Sequence, residues 1–429
     1  MISLKTIIKI YLTSCVAGGI LFNVYWLNKT SSPTENQSLE SGELFSNFPI
    51  RPTINTVADF EQIQNHCIMK DAKKNKHNQN SAYPEVLVEE CLQYLTEKED
   101  DYLIEDNNLP KKGEEKMLFH VFWHGELSDK IVLTAKSFLF SQPLENSALW
   151  IWIDNSDKKF SSTKQLIKSL KKNENAQELL PFVPQYINLK LWNTEEQVKN
   201  RPIFKNWENI TSSVENSVHF SDMVRFVTLH NYGGVYLDAD VLVLKDMRPL
   251  FNSPHEFAYQ WSYLDHYNTA VLRLRKESPT AQLIIQQAEK NEMNFHPFQL
   301  GKYLKEGNNQ TELYMLPGPL MDPLWLKNDK RQLQSVLQPN LPGFDEAFSP
   351  QLIKNEFPEK VNASSNSRKI EEFFPGSFAY HWHNNWKTPL HPDSWMGKFD
   401  QTYSEFLAGE RTNRYGETIN KEGEKRKEL

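Results

Sequence analysis

The chain has 429 residues, of which 39% are hydrophobic and 24% are charged. This balance is typical of a globular protein with room for one large or two modest domains. The net charge is -7 and the pI is near 6.0, with basic residues interspersed among acidic ones. Because a nucleic-acid-binding protein usually carries a basic patch or stripe, this composition excludes nucleic acid as the expected partner.

The N-terminus combines two lysines, Lys5 and Lys9, with an apolar run over residues 10–27. As a helix this run spans roughly 27 Å, close to the thickness of the hydrocarbon core of a bilayer. No small-residue cleavage site follows it, so we predict a cytosolic tail at 1–9 and an uncleaved transmembrane anchor at 10–27. The lysines favour a luminal location for the rest of the chain. A cleaved secretory signal is the alternative.

A luminal chain is compatible with two further features. The sequence contains five Asn-x-Ser/Thr sequons, at Asn28, Asn36, Asn209, Asn309 and Asn362. Outside the apolar run the cysteines are Cys67 and Cys91, which in an oxidising compartment form one disulfide or remain two buried thiols. The sequons predict a glycoprotein.

The segments outside the central part of the chain differ from it in composition. Residues 28–82 are rich in Ser, Asn, Thr, Lys and Pro, which predicts a stem. Apolar spacing between 84 and 95 predicts a short helix, so 83–116 is expected to be a helical segment and linker. Residues 117–410 are the expected folded domain, and the charged tail at 411–429 is predicted to be disordered.

The central part alternates strand and helix patterns. We predict strands and helices in the following order: a strand at 117–123, a helix at 131–141, a strand at 149–153, a helix at 221–231 and a strand at 235–244. This alternation predicts an α/β fold with a mostly parallel central sheet. Ligands bind at the carboxyl ends of such strands, which directs attention to Trp123, Asp154 and the pair Asp238 and Asp240.

The helix predicted at 221–231 carries a charged pair. Ser221 is the expected N-cap, and Asp222 and Arg225 are three residues apart on one helix face. Two readings remain open, a surface ion pair of little energetic weight or a charged face directed into a site.

Two aspartates interrupt the apolar strand that follows. Residues two apart on a strand point to the same side, so Asp238 and Asp240 are expected to converge. Converging carboxylates are costly in an apolar setting unless a cation meets them. Mn²⁺ and Mg²⁺ bind a few carboxylates together with phosphate oxygens, so the pair predicts a site for a divalent ion and a diphosphate.

These segments resemble the DXD-containing sugar transferases of glycosyltransferase family 32, and the closest match is to the α-1,4-galactosyltransferases, with yeast-type α-1,6-mannosyltransferases among the other relatives. The matching runs are SDMVR at 221–225, YGGVYLDAD at 232–240 and VLK at 243–245. The resemblance implies a GT-A-like nucleotide-sugar-binding fold over roughly 117–389. It also implies that Asp222 and Arg225 hold the donor sugar, and that Asp238 and Asp240 hold metal, ribose and diphosphate. Tyr236, inside the same run, is expected to contact substrate.

Weaker resemblances extend this assignment. The run FHVFWHG at 119–125 is similar to the family's opening strand and makes Trp123 a candidate nucleobase platform, unless it is a core aromatic. NTA at 268–270 resembles the strand whose Asn, here Asn268, lies beside the donor sugar. Gly318 and Pro319 resemble a turn near the acceptor, although the preceding family Thr is Pro317 here.

The run AYHWHNNWK at 379–387 resembles the histidine-containing segment that closes the family's active site. Its match favours His381 over His383 as a third ligand of the metal. An imidazole ligand favours Mn²⁺ over Mg²⁺.

The expected function is therefore metal-dependent transfer of a hexose from UDP-Gal, UDP-GlcNAc or GDP-Man to a glycan or glycolipid hydroxyl. The resemblance implies retention of the α configuration, by front-face substitution or double displacement. We expect a single-pass type II protein of the Golgi membrane, or of the ER, with Arg225, Asp238 and Asp240 as catalytic residues. The alternatives are a haloacid-dehalogenase-like phosphatase, whose later acidic motif is missing here, and a catalytically inactive sugar-binding relative.

Overall fold

A computed structural model describes the following residues: 70–71, 116–144, 147–199, 201–204, 217–251, 255–262, 264, 266–306, 313–324, 344–350, 370, 373–374 and 376–419. The predicted anchor at 10–27, Cys67, Cys91 and all five sequons lie outside them. Within them, no helix is both long and apolar enough to cross a membrane.

Ten strands in the described part of the chain form two sheets. They are β1 (Lys70–Asp71), β2 (Met117–Trp123), β3 (Ser147–Asp154), β4 (Ile187–Trp192), β5 (Gly234–Leu237), β6 (Val241–Val243), β7 (Glu256–Gln260), β8 (Tyr267–Leu274), β9 (Leu313–Leu316) and β10 (Ala379–His381). Eight of them make the main sheet in the order β1-β9-β7-β8-β5-β2-β3-β4, and β10 pairs with β6 in a small second sheet.

The strand pairs of the main sheet are mostly parallel. β5, β2, β3 and β4 pair parallel in succession, as do β7 and β9, whereas β8 runs antiparallel to both of its neighbours. Strands buried on both faces read as nearly continuous apolar runs, as β2 and β3 do. The predicted α/β fold with a mostly parallel sheet is thus confirmed.

Helices cover both faces of this sheet. They are α1 (Asp129–Ser141), α2 (Thr163–Leu170), α3 (Thr194–Val198), α4 (Ser217–Tyr232), α5 (Arg248–Phe251), α6 (Pro279–Lys290), α7 (Leu300–Glu306) and α8 (Trp395–Ala408). One core contains apolar residues of α1 and α8, and the other contains those of α4 and α6. The sheet therefore separates two cores, and its strand ends lie between them.

The strand predicted at 235–244 is wrong in one respect that bears on the site. β5 ends at Leu237, a turn follows, and β6 then belongs to the second sheet. The Val241 N–H donates to the Asp238 carbonyl at 3.1 Å, so Asp238 and Asp240 lie on this turn rather than along one strand face. Aspartate is favoured in turns, where its carboxylate can leave the plane of the sheet.

The C-terminal end of α4 was predicted correctly, but its N-terminal end was not. The helix begins at Ser217, so Ser221 lies inside it and is not the N-cap. At the other end the Gly233 N–H donates to the Leu229 carbonyl at 2.8 Å with φ of +70° at Gly233, which is the expected left-handed cap.

Two segments expected to lack structure contribute to the folded domain. β1 falls within the predicted stem and pairs antiparallel with β9. Residues 411–419 of the tail that was predicted to be disordered are folded against the domain. The Asn413 side chain donates to the Phe140 carbonyl and Arg414 donates to the Leu244 carbonyl. Polar side chains that satisfy backbone carbonyls hold this segment, and its charged composition did not indicate such contacts.

Gly234 gives a test of the turn that leads into β5. Its φ is +106°, and a Cβ there would lie 2.3 Å from the Leu118 carbonyl oxygen on the neighbouring strand. We therefore expect Gly234→Ala to lower the free energy of unfolding by about 2 kcal/mol or more. Urea denaturation measures this, with Gly301→Ala as the matched control, since no atom lies within 4 Å of a Cβ in that helix position. An equal loss in both variants would contradict the account.

Candidate active site

The site forms where the turn after β5 meets the end of β10. β10 runs antiparallel to β6, with His381 opposite Val241. The Trp382 N–H donates to the Asp240 carbonyl at 3.0 Å. This pairing brings a histidine from the C-terminal part of the chain beside the two aspartates of the turn.

Asp238, Asp240 and His381 form a group that could hold a metal ion. One ligand atom of each lies within 4.8 Å of the others, and the His381 Nε2 is 3.3 Å from Asp240 Oδ2. Two carboxylates and an imidazole suit a divalent ion such as Mn²⁺. The residues present therefore fit the expected ion.

Asp240 and His381 are held in opposite charge states. Burial raises the pKa of Asp240, but His381 and the Asn384 N–H, which donates to Oδ2 at 2.7 Å, outweigh it and lower the pKa to about 2. Burial lowers the pKa of His381, yet Asp240 and Asp322 raise it to about 10. A metal ion that binds His381 Nε2 would displace the proton of the imidazolium, whose positive charge otherwise compensates the Asp240 carboxylate.

Arg225 links the helix to the turn. Its Nη2 lies 3.0 Å from Asp222 Oδ1 and 2.9 Å from Asp238 Oδ1, and its Nη1 donates to the hydroxyl of Thr269. Asp222 and Arg225 are 3% and 4% exposed, which excludes the surface ion pair. Burial alone lowers the pKa of Arg225, but the carboxylates of Asp238 and Asp222 outweigh it and raise that pKa. The guanidinium is a permanent positive charge inside the site.

Two polar atoms of this pair have no hydrogen-bond partner among the described residues. They are Asp222 Oδ2 and Arg225 Nε, and both are buried. Burial raises the pKa of Asp222 to about 7, an increase that Arg225 partly offsets. Buried polar atoms are normally satisfied, so an acceptor and a donor left open here are suited to the hydroxyls of a ligand.

Tyr236 lies beside this pair, and Asn268 precedes Thr269, whose hydroxyl Arg225 contacts. Tyr236 is buried, and its ring lies beneath the Arg225 guanidinium at 5.3 Å, so it supports that side chain. Asn268 is buried on β8 and its Oδ1 accepts from the Ala270 N–H at 2.9 Å. Their predicted contact with substrate stays a prediction.

Trp123 lies at the carboxyl end of β2 and is partly buried. Its indole N–H donates to the Glu126 carbonyl, and its ring centroid is 5.4 Å from that of Trp386, which is 38% exposed. Trp386 in turn donates to Asn384 Oδ1 at 3.1 Å. The two tryptophans are thus connected to the Asp240 side of the site, where a nucleobase platform is expected.

Sequence reasoning missed Asp322 and Tyr259. Asp322 is fully buried, with Oδ2 2.7 Å from His383 Nε2 and 3.7 Å from His381 Nδ1. The Tyr259 hydroxyl is 3.0 Å from His381 Nδ1. Asp322, His381 and His383 form a second group that could hold a metal ion. The Gly-Pro turn at 318–319 was the signal available, because Asp322 follows it closely.

The central part of the chain matches a known protein family. Residues 135–257 match the family described as "Glycosyltransferase sugar-binding region containing DXD motif". This segment includes Arg225, Asp238 and Asp240. The resemblance to the DXD-containing transferases and the expected glycosyltransferase class are confirmed by this match.

Other similarities are weaker. The chain is 33% identical over 79 residues to an uncharacterized protein of Arabidopsis thaliana, At4g19900, covering 18% of this chain and 10% of that protein. The galactosyltransferase LgtC, in complex with donor and acceptor sugar analogs, has a TM-score of 0.36 at 13% identity, covering 73% of this chain and 100% of that one. GlyE of Streptococcus pneumoniae TIGR4 has a TM-score of 0.36 at 11% identity, covering 68% of this chain and 60% of that one.

Arg225→Lys tests the role of the guanidinium fork. Lysine keeps the charge but cannot hold Asp222, Asp238 and Thr269 together, so hydrolysis of a nucleotide-sugar donor should fall about 10- to 100-fold. The matched control is Arg248→Lys, which alters another buried arginine paired with an aspartate, Asp246, outside the site. Circular dichroism verifies folding, and equal donor hydrolysis in the two variants would contradict this role.

Proposed function

We propose that this chain, a glycosyltransferase of the DXD-containing family 32 type, transfers a hexose from a nucleotide sugar to a hydroxyl of a glycan or glycolipid. UDP-Gal, UDP-GlcNAc and GDP-Man are the proposed donors. The proposal rests on Asp238, which joins two charged groups. It belongs to the candidate metal group and also forms an ion pair with Arg225. A nucleotide-sugar donor needs one group that binds the metal ion with the diphosphate and an adjacent group that binds the attached sugar.

The leaving group sets the main chemical demand. A glycosidic bond to a diphosphate breaks with negative charge developing on the diphosphate oxygen, and fixed positive charge stabilises that state. Mn²⁺ or Mg²⁺, held by Asp238, Asp240 and His381, would supply such charge when bound. Arg225 adds a guanidinium whose position is fixed before the donor arrives, since Asp222 and Thr269 hold it.

Asp222 is the proposed contact for the donor sugar. Its Oδ2 is buried and has no hydrogen-bond partner in the described part of the chain, and its Oδ1 is fixed by Arg225, so the carboxyl group has one defined orientation. Accepting a sugar hydroxyl at Oδ2 would satisfy this atom and orient the anomeric carbon. Asn268 completes the proposed donor-sugar contacts. We propose retention of configuration, by front-face substitution or by double displacement.

The proposed location is the Golgi or ER membrane, as a single-pass type II protein with the catalytic domain in the lumen. The support is the apolar run at 10–27 behind Lys5 and Lys9. In sealed microsomes the catalytic domain should resist added protease, and detergent should abolish that protection. Digestion without detergent, or a mature N-terminus near residue 28, would overturn the anchor.

Metal dependence is the direct test of the proposed activity. Purified protein should hydrolyse one of the three donors with Mn²⁺, and a chelator should stop the reaction. Asp240→Asn removes a direct anionic ligand and should reduce turnover by about 100-fold or more. Asp246→Asn, at a buried aspartate paired with Arg248 outside the site, is the matched control and should keep metal-dependent turnover. Hydrolysis that is indifferent to chelation would contradict the proposal.

A further inference from the structure

A cluster of aromatic rings lies beside the site and is not used by the proposed donor contacts. The aromatic patch consists of Trp261, His266, His296 and Phe298. The Phe298 ring centroid is 4.8 Å from that of Trp261, 4.7 Å from His266 and 4.9 Å from His296. Phe298 is 41% exposed, and with Trp386 it is one of two exposed large apolar side chains in the described part of the chain.

Trp261 and His266 of the patch lie in the connection between β7, which carries Tyr259, and β8. β7 ends at Gln260 and β8 begins at Tyr267, and the Trp261 N–H donates to the His266 carbonyl at 2.8 Å to close the connection. Tyr259, two residues before Trp261, contacts His381. The hairpin therefore connects the aromatic patch to the candidate metal group through one short strand end.

The turn at Gly318 and Pro319 packs against the same hairpin. A Cβ on Gly318 would lie 2.9 Å from the Gln260 carbonyl and 3.7 Å from that of Ser262. Ser262 has φ of +54° and a buried hydroxyl without a hydrogen-bond partner among the described residues. Strained backbone that a surrounding structure holds in place is commonest at functional sites.

The rest of the patch borders the helix that carries Arg225. Phe295, which precedes His296, stacks on Phe226 of α4 at 5.8 Å. Burial lowers the pKa of His296 to about 4, and the nearby charges of His219 and Arg225 add to this effect. His296 is consequently a neutral imidazole. Its Nδ1 accepts from the Phe298 N–H at 3.2 Å, so Nε2 carries the proton and can act as a donor.

The two exposed aromatic side chains thus flank different parts of the site. Trp386 is linked through Asn384 to Asp240, on the side of the candidate metal group. Phe298 lies with His296, near Arg225. Because the donor's nucleotide and diphosphate are assigned to the Asp240 side, the aromatic patch lies where a second substrate could approach the donor sugar.

We propose that the aromatic patch binds a pyranose ring of the acceptor, an inference that rests on the proposed function. A pyranose has a face of C–H bonds, which packs on the negative face of an aromatic ring, and hydroxyls around its edge. Trp261 and Phe298 offer the rings, and the imidazoles of His266 and His296 lie among them for the hydroxyls. Ligand sites commonly combine an apolar surface with a few polar groups in this way.

Paired substitutions separate ring stacking from general hydrophobicity. Phe298→Leu and Trp261→Leu keep an apolar side chain but remove the flat face, whereas Phe298→Tyr and Trp261→Phe retain a ring. Saturation-transfer NMR with lactose, methyl α-mannoside and octyl glucoside, in the presence of UDP and Mn²⁺, reports binding of sugar C–H groups. We expect the leucine variants to weaken sugar binding about 3- to 10-fold, and the aromatic variants to bind like the wild type.

Donor hydrolysis without acceptor distinguishes failure of this inference from failure of the proposed function. The leucine variants should hydrolyse the donor as the wild type does, because no patch residue is assigned to the donor. Wild-type protein that hydrolyses no donor would overturn the proposed function itself. Active protein that shows no saturation transfer from any probe, or leucine variants that bind sugar normally, would overturn the patch assignment. Contact with the octyl chain alone would indicate a lipid surface instead.

Discussion

The site depends on compensating the charge of several carboxyl groups that are enclosed in the protein. Asp222, Asp240 and Asp322 are buried, and Asp238 pairs with Arg225 as Asp222 does. Buried charges are tolerated when partners of opposite sign and hydrogen bonds compensate them. Arg225 compensates two of these carboxylates, and the His381 imidazolium compensates the other two when no ion is bound. A divalent cation and a diphosphate would enter a network already arranged around that balance.

This requirement accounts for local departures from regular structure. The chain leaves the main sheet after Leu237, so Asp238 and Asp240 lie on a turn. It then enters a second sheet, in which β6 pairs with β10. After β10, His383, Asn384 and Asn385 all have positive φ, at 51°, 76° and 25°. Such conformations are costly for residues other than glycine, and here they place the Asn384 N–H on Asp240. Backbone strain is retained where it satisfies a buried charge.

The sequence predicted the features that depend on neighbours in the chain. Apolar periodicity indicated the alternating strands and helices, the glycine pair indicated the end of α4, and the spacing of Asp222 and Arg225 indicated their shared face. Whether that pair was buried depended on Thr269 and Asp238 at other strand ends. The spacing of residues along the chain does not indicate such contacts. A surface ion pair therefore remained an alternative until the structure excluded it.

Features set by distant contacts were missed for the same reason. The break after Leu237 follows from the pairing of β6 with β10, whose residues are far apart in sequence, and the pattern of an apolar strand does not reveal it. Asp322 belongs to no motif that its neighbours in the chain reveal, yet folding places it against both histidines. The aromatic patch likewise combines two segments that are unremarkable when each is read alone.

Anomalous diffraction from crystals soaked with Mn²⁺ and UDP would show whether Asp238, Asp240 and His381 hold an ion together with the diphosphate. We expect a manganese peak within bonding distance of Asp240 and His381, near Asp238, with the diphosphate on the same ion. Asp322, His381 and His383 offer a competing group a few ångströms away. A peak held by Asp322 and His383, or a diphosphate bound without contact to the ion at Asp240, would contradict this expectation.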